Sequence, residues 1–119
     1  MPITMHDEGG NVYRFEIRGT LRKADFAQQQ SALAAEIGRL GPVKILFVLV
    51  GFTGWEPSDD WSDLSFYIKH GDSIRRIAIV GDERWRSEAL MFAGADLRQA
   101  PVQFFPTPGT AMARAWLAA

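Results

Sequence analysis

The sequence predicts an α/β fold: a single domain over residues 1–119, with a mixed sheet of four to five strands, an N-terminal hairpin and about four helices. Three observations predict it. Val43 to Val50 is apolar at every position except Lys44, and Ile77-Ala78-Ile79-Val80 is a second apolar run. Unbroken runs of this kind belong to strands covered on both faces. Segments with helical periodicity lie around and between these runs, and strands alternating with helices imply parallel pairing through right-handed crossovers. The beginning of the chain differs, because Glu8-Gly9-Gly10-Asn11 is a hairpin signal in which glycine accepts a positive φ without steric cost.

Around that turn, Pro2 to Arg18 reads as an antiparallel pair at the sheet margin: Tyr13, Phe15 and Ile17 alternate with Arg14, Glu16 and Arg18, the period of a strand with one wet face. Gly19-Thr20-Leu21 leads to a helix from Lys23, where Phe26, Leu33, Ile37 and Leu40 share a face and Gly41-Pro42 is the stop. Val43 to Val50 is the central strand, and Gly51-Phe52-Thr53-Gly54-Trp55-Glu56 is expected as a loop after it. Pro57-Ser58-Asp59-Asp60 supplies a proline, a capping hydroxyl and first-turn acids for a second helix, with Trp61, Leu64 and Ile68 on its apolar face and Lys69, His70 and Gly71 at its end. Ile74 to Val80 is the next strand. Gly81-Asp82-Glu83 turns into a third helix with Trp85, Ala89 and Phe92 on one stripe. Val102 to Phe105 is a last short strand, and Thr107-Pro108 caps a terminal helix that packs through Met112, Ala115 and Trp116.

Composition narrows the function classes. Lys+Arg 13 against Asp+Glu 14 leaves a net charge of -1, which does not suit a nucleic-acid binder, and the pairs Arg75-Arg76 and Arg84-Arg86 form no stripe with exposed aromatics. No cysteine is present, so disulfides, thiolate catalysis and cysteine-ligated metal are excluded. The longest apolar run, Ile45 to Val50, is far short of a transmembrane segment, and Met1-Pro2-Ile3-Thr4 lacks the order of a signal peptide, so a cytoplasmic protein is expected.

The element order, Gly19-Thr20-Leu21, the strand ending Phe52-Thr53-Gly54-Trp55, the segment Asp60-Trp61-Ser62-Asp63-Leu64 and the strand ending Ile79-Val80-Gly81-Asp82 followed by Trp85 together resemble the SpoIIAA-like family. That family sits within the wider group of STAS and CRAL-TRIO-like domains, and the likeness runs over nearly the whole chain. It implies a STAS-like fold in a bacterial cytosolic setting. Anti-sigma-factor antagonists of the wider group carry a phosphorylatable serine in an Asp-Ser-Ser-Gly type loop after the central strand. Here the comparable loop reads Phe52-Thr53-Gly54-Trp55-Glu56-Pro57-Ser58-Asp59-Asp60. Phosphate on Ser58 or Thr53 would meet like charge from Glu56, Asp59 and Asp60.

No catalytic signature is present: there is no nucleophile elbow, phosphate-binding glycine loop, dinucleotide fingerprint or zinc-protease helix motif. His6 and His70 are far apart in sequence and read as surface or capping residues rather than a shared metal site. Asp59, Asp60 and Asp63 suit a helix front better than a calcium loop, so neither metal nor cofactor is expected.

The aromatics are more informative. Phe52, Trp55, Trp61, Trp85 and Phe105 lie in or beside segments that follow strand C-termini, the edge at which open α/β sheets place ligands. The candidate ligand or partner site is Phe52, Thr53, Trp55, Ser58, Trp61, Asp82 and Trp85, near the segments 51–58, 81–85 and 105–109. Trp61 and Trp85 also suit helix anchors, and Trp55 is expected as a loop residue whose removal leaves stability nearly intact.

The expected function is a non-enzymatic binding or regulatory module of the STAS type, acting through a protein partner or an apolar ligand, with a homodimer as a further expectation. The alternative, which similarity to CRAL-TRIO proteins implies, is a domain that carries a lipid or another hydrophobic ligand. An enzyme using Asp and His residues at the same edge is a third reading. A filled core behind Trp55 and Trp61 favours a partner, and an apolar cavity of a few hundred cubic ångströms favours a ligand.

Overall fold

The computed structural model describes residues 2–62 and 65–119, so Asp63 and Leu64 lie outside the described residues. Five strands form one sheet in the order β1-β2-β3-β4-β5. β1 (Ile3–Gly9) is antiparallel to β2 (Val12–Leu21), while β2, β3 (Val43–Trp55), β4 (Ile74–Gly81) and β5 (Val102–Pro106) are parallel. The hairpin turn is Gly10-Asn11, with φ of +59° and +61°, the doubly left-handed turn whose twist matches paired strands.

Helices α1 (Lys23–Leu40), α2 (Ser65–His70) and α3 (Arg86–Phe92) connect successive parallel strands, and α4 (Thr110–Ala118) ends the chain. Each crossover moves one strand along in the same direction, so a common right-handedness places α1, α2 and α3 on one face of the sheet. The core divides accordingly. Phe15, Phe47, Ile79 and Phe104 lie in register across four strands and, with Tyr13, Ile45 and Ile77, share a buried cluster with Leu33 and Ile37 of α1 and Ala89 of α3. On the opposite face Leu46, Ala78, Val80 and Phe105 pack against Ala113 and Leu117 of α4.

Charged groups from elsewhere in the chain finish two of the helices. At the front of α1, the Asp59 carboxylate accepts from the Lys23 backbone N–H at 2.9 Å and pairs with Arg22. At the end of α4, Lys44 donates to the Leu117 carbonyl and Arg76 to the Trp116 carbonyl, cations at the negative end of the helix.

Four expectations are corrected. Gly51 to Trp55 is strand, not loop: Gly19, Thr20 and Leu21 of β2 pair with Phe52, Gly54 and Trp55. Register shifts leave Gly51 and Thr53 as the extra residues, so the glycines mark bulges in a continuing strand rather than a break. The second helix does not start at Ser58. Asp60 accepts from the backbone and hydroxyl of Ser62, a local turn that competes with helix, and the described helix is Ser65–His70. Ile68, expected to face inward, is 79% exposed, and Phe66 packs on the core instead. In α4 the inward stripe is Ala113 and Leu117 with Trp116 beside it, whereas Met112 is 69% exposed and Ala115 is exposed.

Candidate functional site

Helix α2 is six residues long and buries none of them. The sheet face between α1 and α3 is therefore left partly uncovered, and a cavity of about 360 Å³ occupies the gap. Its floor is Phe15, Ile45, Phe47, Ile74 and Ile77 from β2, β3 and β4. One wall is α1 with Phe26 and Leu33, the other α3 and the turn after it, with Met91, Phe92 and Arg98. Trp55, Trp61, Phe66 and Tyr67 close it above.

Phe92 is the hub of the aromatic lining. Its ring centroid lies 4.8 Å from Phe26, 5.3 Å from Trp55, 5.8 Å from Phe47 and 5.9 Å from Trp61, all in tilted or edge-on arrangements that favour aromatic pairs. The Trp61 indole is held from the other side, donating to the Glu56 carbonyl at 2.9 Å. Glu56 itself is tied down through its N–H to the Leu21 carbonyl at the end of β2.

The polar groups at the cavity differ in their surroundings. The Tyr67 hydroxyl donates to the Leu97 carbonyl at 2.5 Å. Asp60 and Glu88 line the cavity from exposed positions. Arg98 is more enclosed: its Nε donates to the Ala93 carbonyl at 2.7 Å, its guanidinium lies 4.9 Å from the centre of the Tyr67 ring, and burial lowers its pKa from the usual arginine value. Two donors of cavity-lining residues, Trp55 Nε1 and Arg98 Nη1, are buried without a hydrogen-bond partner.

The candidate residues separate into groups. Trp55 and Trp61 line the cavity. Phe52 and Trp85 stand behind Trp55, with centroids 4.8 Å and 6.0 Å from it, and a Cβ on Gly54 would lie 3.4 Å from the Trp85 ring. Trp55 is thus a half-buried packing residue rather than a free loop side chain, and Phe52 is only 4% exposed. Thr53 is exposed and bonds the Thr20 hydroxyl at 2.9 Å. Ser58 is exposed, with its hydroxyl donating to Glu56 at 3.0 Å. Asp82 caps the short turn Glu83–Trp85 by accepting from the Arg84 N–H.

The cavity lies over the α1–α3 face of the sheet and reaches the C-terminal end of β3 at Trp55, and among the described residues segments 81–85 and 105–109 contribute nothing to its lining. Sequence reasoning missed Phe26, Phe66, Tyr67, Phe92 and Arg98 as lining residues. Phe26 and Phe92 carry a signal, since both belong to apolar helix faces, but nothing local marks Arg98. His6 bonds Thr4 on β1 and the His70 ring packs at a tilt against Phe66, so each ring has its own local partner. Among the described residues no group of three His, Asp or Glu side chains could hold a metal ion, and no helix is long and apolar enough to cross a membrane.

Comparison with solved structures gives the same architecture. An uncharacterised protein from Shewanella loihica PV-4 with a SpoIIAA-like fold aligns over 97% of this chain and 91% of its own, with 21% identity and a TM-score of 0.73. The anti-sigma factor antagonist SpoIIAA in its unphosphorylated form aligns over 96% of this chain and 97% of its own, with 11% identity and a TM-score of 0.63. No curated protein matches the sequence. The SpoIIAA-like family pattern matches residues 12–118, from β2 through the last turn of α4, and the chain belongs to that family.

Proposed function

We propose that the protein is a non-enzymatic binding module of the STAS type that holds an apolar small molecule in the cavity beneath Trp61. The cavity is the observation that carries this reading. Protein interiors pack to the density of organic crystals, and an unfilled apolar void forfeits the contacts of every side chain around it. A space of about 360 Å³ ringed by Phe26, Phe47, Trp55, Trp61 and Phe92 falls in the size range of small-molecule sites, whose linings are mainly apolar and aromatic. Nearby polar groups hold the lining in place: Glu56 anchors Trp61, and the Tyr67 hydroxyl ties α2 to the turn after α3.

A protein partner is the second reading. Met91 and Leu97 at the cavity and Ile68 on α2 are 78%, 58% and 79% exposed, an apolar rim of the kind that marks interaction sites. Native mass spectrometry of protein purified gently from its host separates the two. The ligand reading expects a co-purifying small hydrophobic mass that is lost in Phe92→Ala. A bare chain, or a chain joined only to another protein, contradicts it.

A further inference from the structure

We infer that the cavity selects a monocarboxylic acid with an apolar body, and that Arg98 is the residue that recognises its carboxylate. This rests on the ligand reading above and adds the chemical class of the ligand. Six other arginines of the molecule have a carboxylate partner: Arg14 and Arg114 with Glu8, Arg18 with Glu16, Arg22 with Asp59, Arg39 with Glu36, and Arg86 with Glu83. Arg98 has none among the described residues, although it is partly buried and its Nη1 is enclosed without an acceptor. A guanidinium stays charged at every physiological pH, so burying it without a counter-charge is unfavourable.

The surroundings prepare this group for an anion. The Ala93 carbonyl fixes Nε and the guanidinium carbon lies 4.9 Å from the centre of the Tyr67 ring, so little freedom remains to be lost when a planar, two-oxygen partner arrives. The acids at the cavity, Asp60 and Glu88, are exposed. Exposed charges are screened by water, whereas the more enclosed guanidinium acts through a lower dielectric. Lys23, Gln30 and Ser65 also line the cavity, and the rest of the lining is apolar and aromatic, which suits a hydrocarbon or ring body attached to one charged end.

The test is a set of tryptophan-fluorescence titrations of the full chain with dodecanoate, 2-naphthoate, dodecanol and dodecylamine, each below its aggregation threshold. The proposal expects a carboxylate to bind at least about tenfold tighter than dodecanol, and dodecylamine to bind weakest, since a charge-assisted hydrogen bond supplies a factor of that order. The tighter of the two acids tells whether the body is a chain or a ring. In Arg98→Gln the carboxylate preference falls to near unity while dodecanol affinity is kept, and Arg98→Lys restores part of the preference. Equal binding of dodecanoate and dodecanol by the unaltered protein overturns the role of Arg98 and leaves the ligand reading standing. Failure of all four probes to bind overturns both. If Arg98→Gln does not fold, the probe series on the unaltered protein and on Arg98→Lys still decides the outcome.

Discussion

Trp55 shows how packing, rather than position in the chain, sets a residue's role. Flanked by Gly54 and Glu56, it has the local sequence of a loop tip, yet Leu21 pairs with it across the sheet and its ring meets Phe52, Trp85 and Phe92. Trp55→Ala is therefore expected to cost about 3–5 kcal/mol in urea unfolding, the range for removing a large packed aromatic, and a cost near zero contradicts this assignment. The reason it was illegible is specific. The alternation of buried Phe52, exposed Thr53 and buried Gly54 is a strand pattern, but Gly51 and Gly54 at φ +56° and +116° imitate a turn when only the sequence is read. Gly54→Val tests the same point from the backbone. A branched side chain is strained at that φ and would press on the Trp85 ring, so the variant should unfold at a clearly lower urea concentration than Thr53→Val beside it.

At the scale of elements, the apolar runs made β3 and β4 legible, the alternation about Tyr13, Phe15 and Ile17 made β2 legible, and the helix stop at Gly41-Pro42 fixed the end of α1. The front of α2 was hidden because its sequence signals serve other contacts: Asp59 caps α1, and Asp60 closes a turn with Ser62. The cavity was hidden with it, since a pattern of apolar residues cannot say that a six-residue helix will leave the sheet beneath it uncovered.

Ion pairs within β2 and between elements have carboxyl groups that give a pH dependence. The hydrogen bond from Arg114 holds Glu8 below its ordinary 4.5, with Arg14 adding to it. Burial pushes Glu16 up, but Arg14 and Arg18 outweigh it and the net shift is down. Arg22 and the Lys23 N–H hold Asp59 below 3.8. A carboxyl with a lowered folded pKa stabilises the native state above its unfolded value and loses that contribution as pH falls through the folded value. Thermal midpoints should therefore stay level from neutral pH down to the ordinary carboxylate values of 3.8 to 4.5 and drop below them. Asp59→Asn, which weakens the tie between α1 and the segment before α2, should shrink that acid-side drop. An identical drop in the variant contradicts the assignment.

For the whole molecule, sequential strand order with a common crossover hand puts three helices on one side of the sheet and leaves α4 to cover the other. Two cores of unequal completeness result. The α4 side is closed by Leu117, Ala113 and Phe105, so Leu117→Ala should cost about 2–5 kcal/mol without changing ligand affinity, as read by urea unfolding and a fluorescence titration. The α1–α3 side holds the cavity, and the four tryptophans report on the two sides separately: Trp55 and Trp61 line the cavity, Trp85 stands behind Trp55, and Trp116 packs on the α4 face. The most direct measurement is the indole N–H region of a nitrogen-15 NMR spectrum during titration with dodecanoate. Saturable shifts of the Trp55 and Trp61 signals with Trp116 unmoved are the predicted result; no saturable shift, or shifts led by Trp116, would contradict a ligand site between α1 and α3.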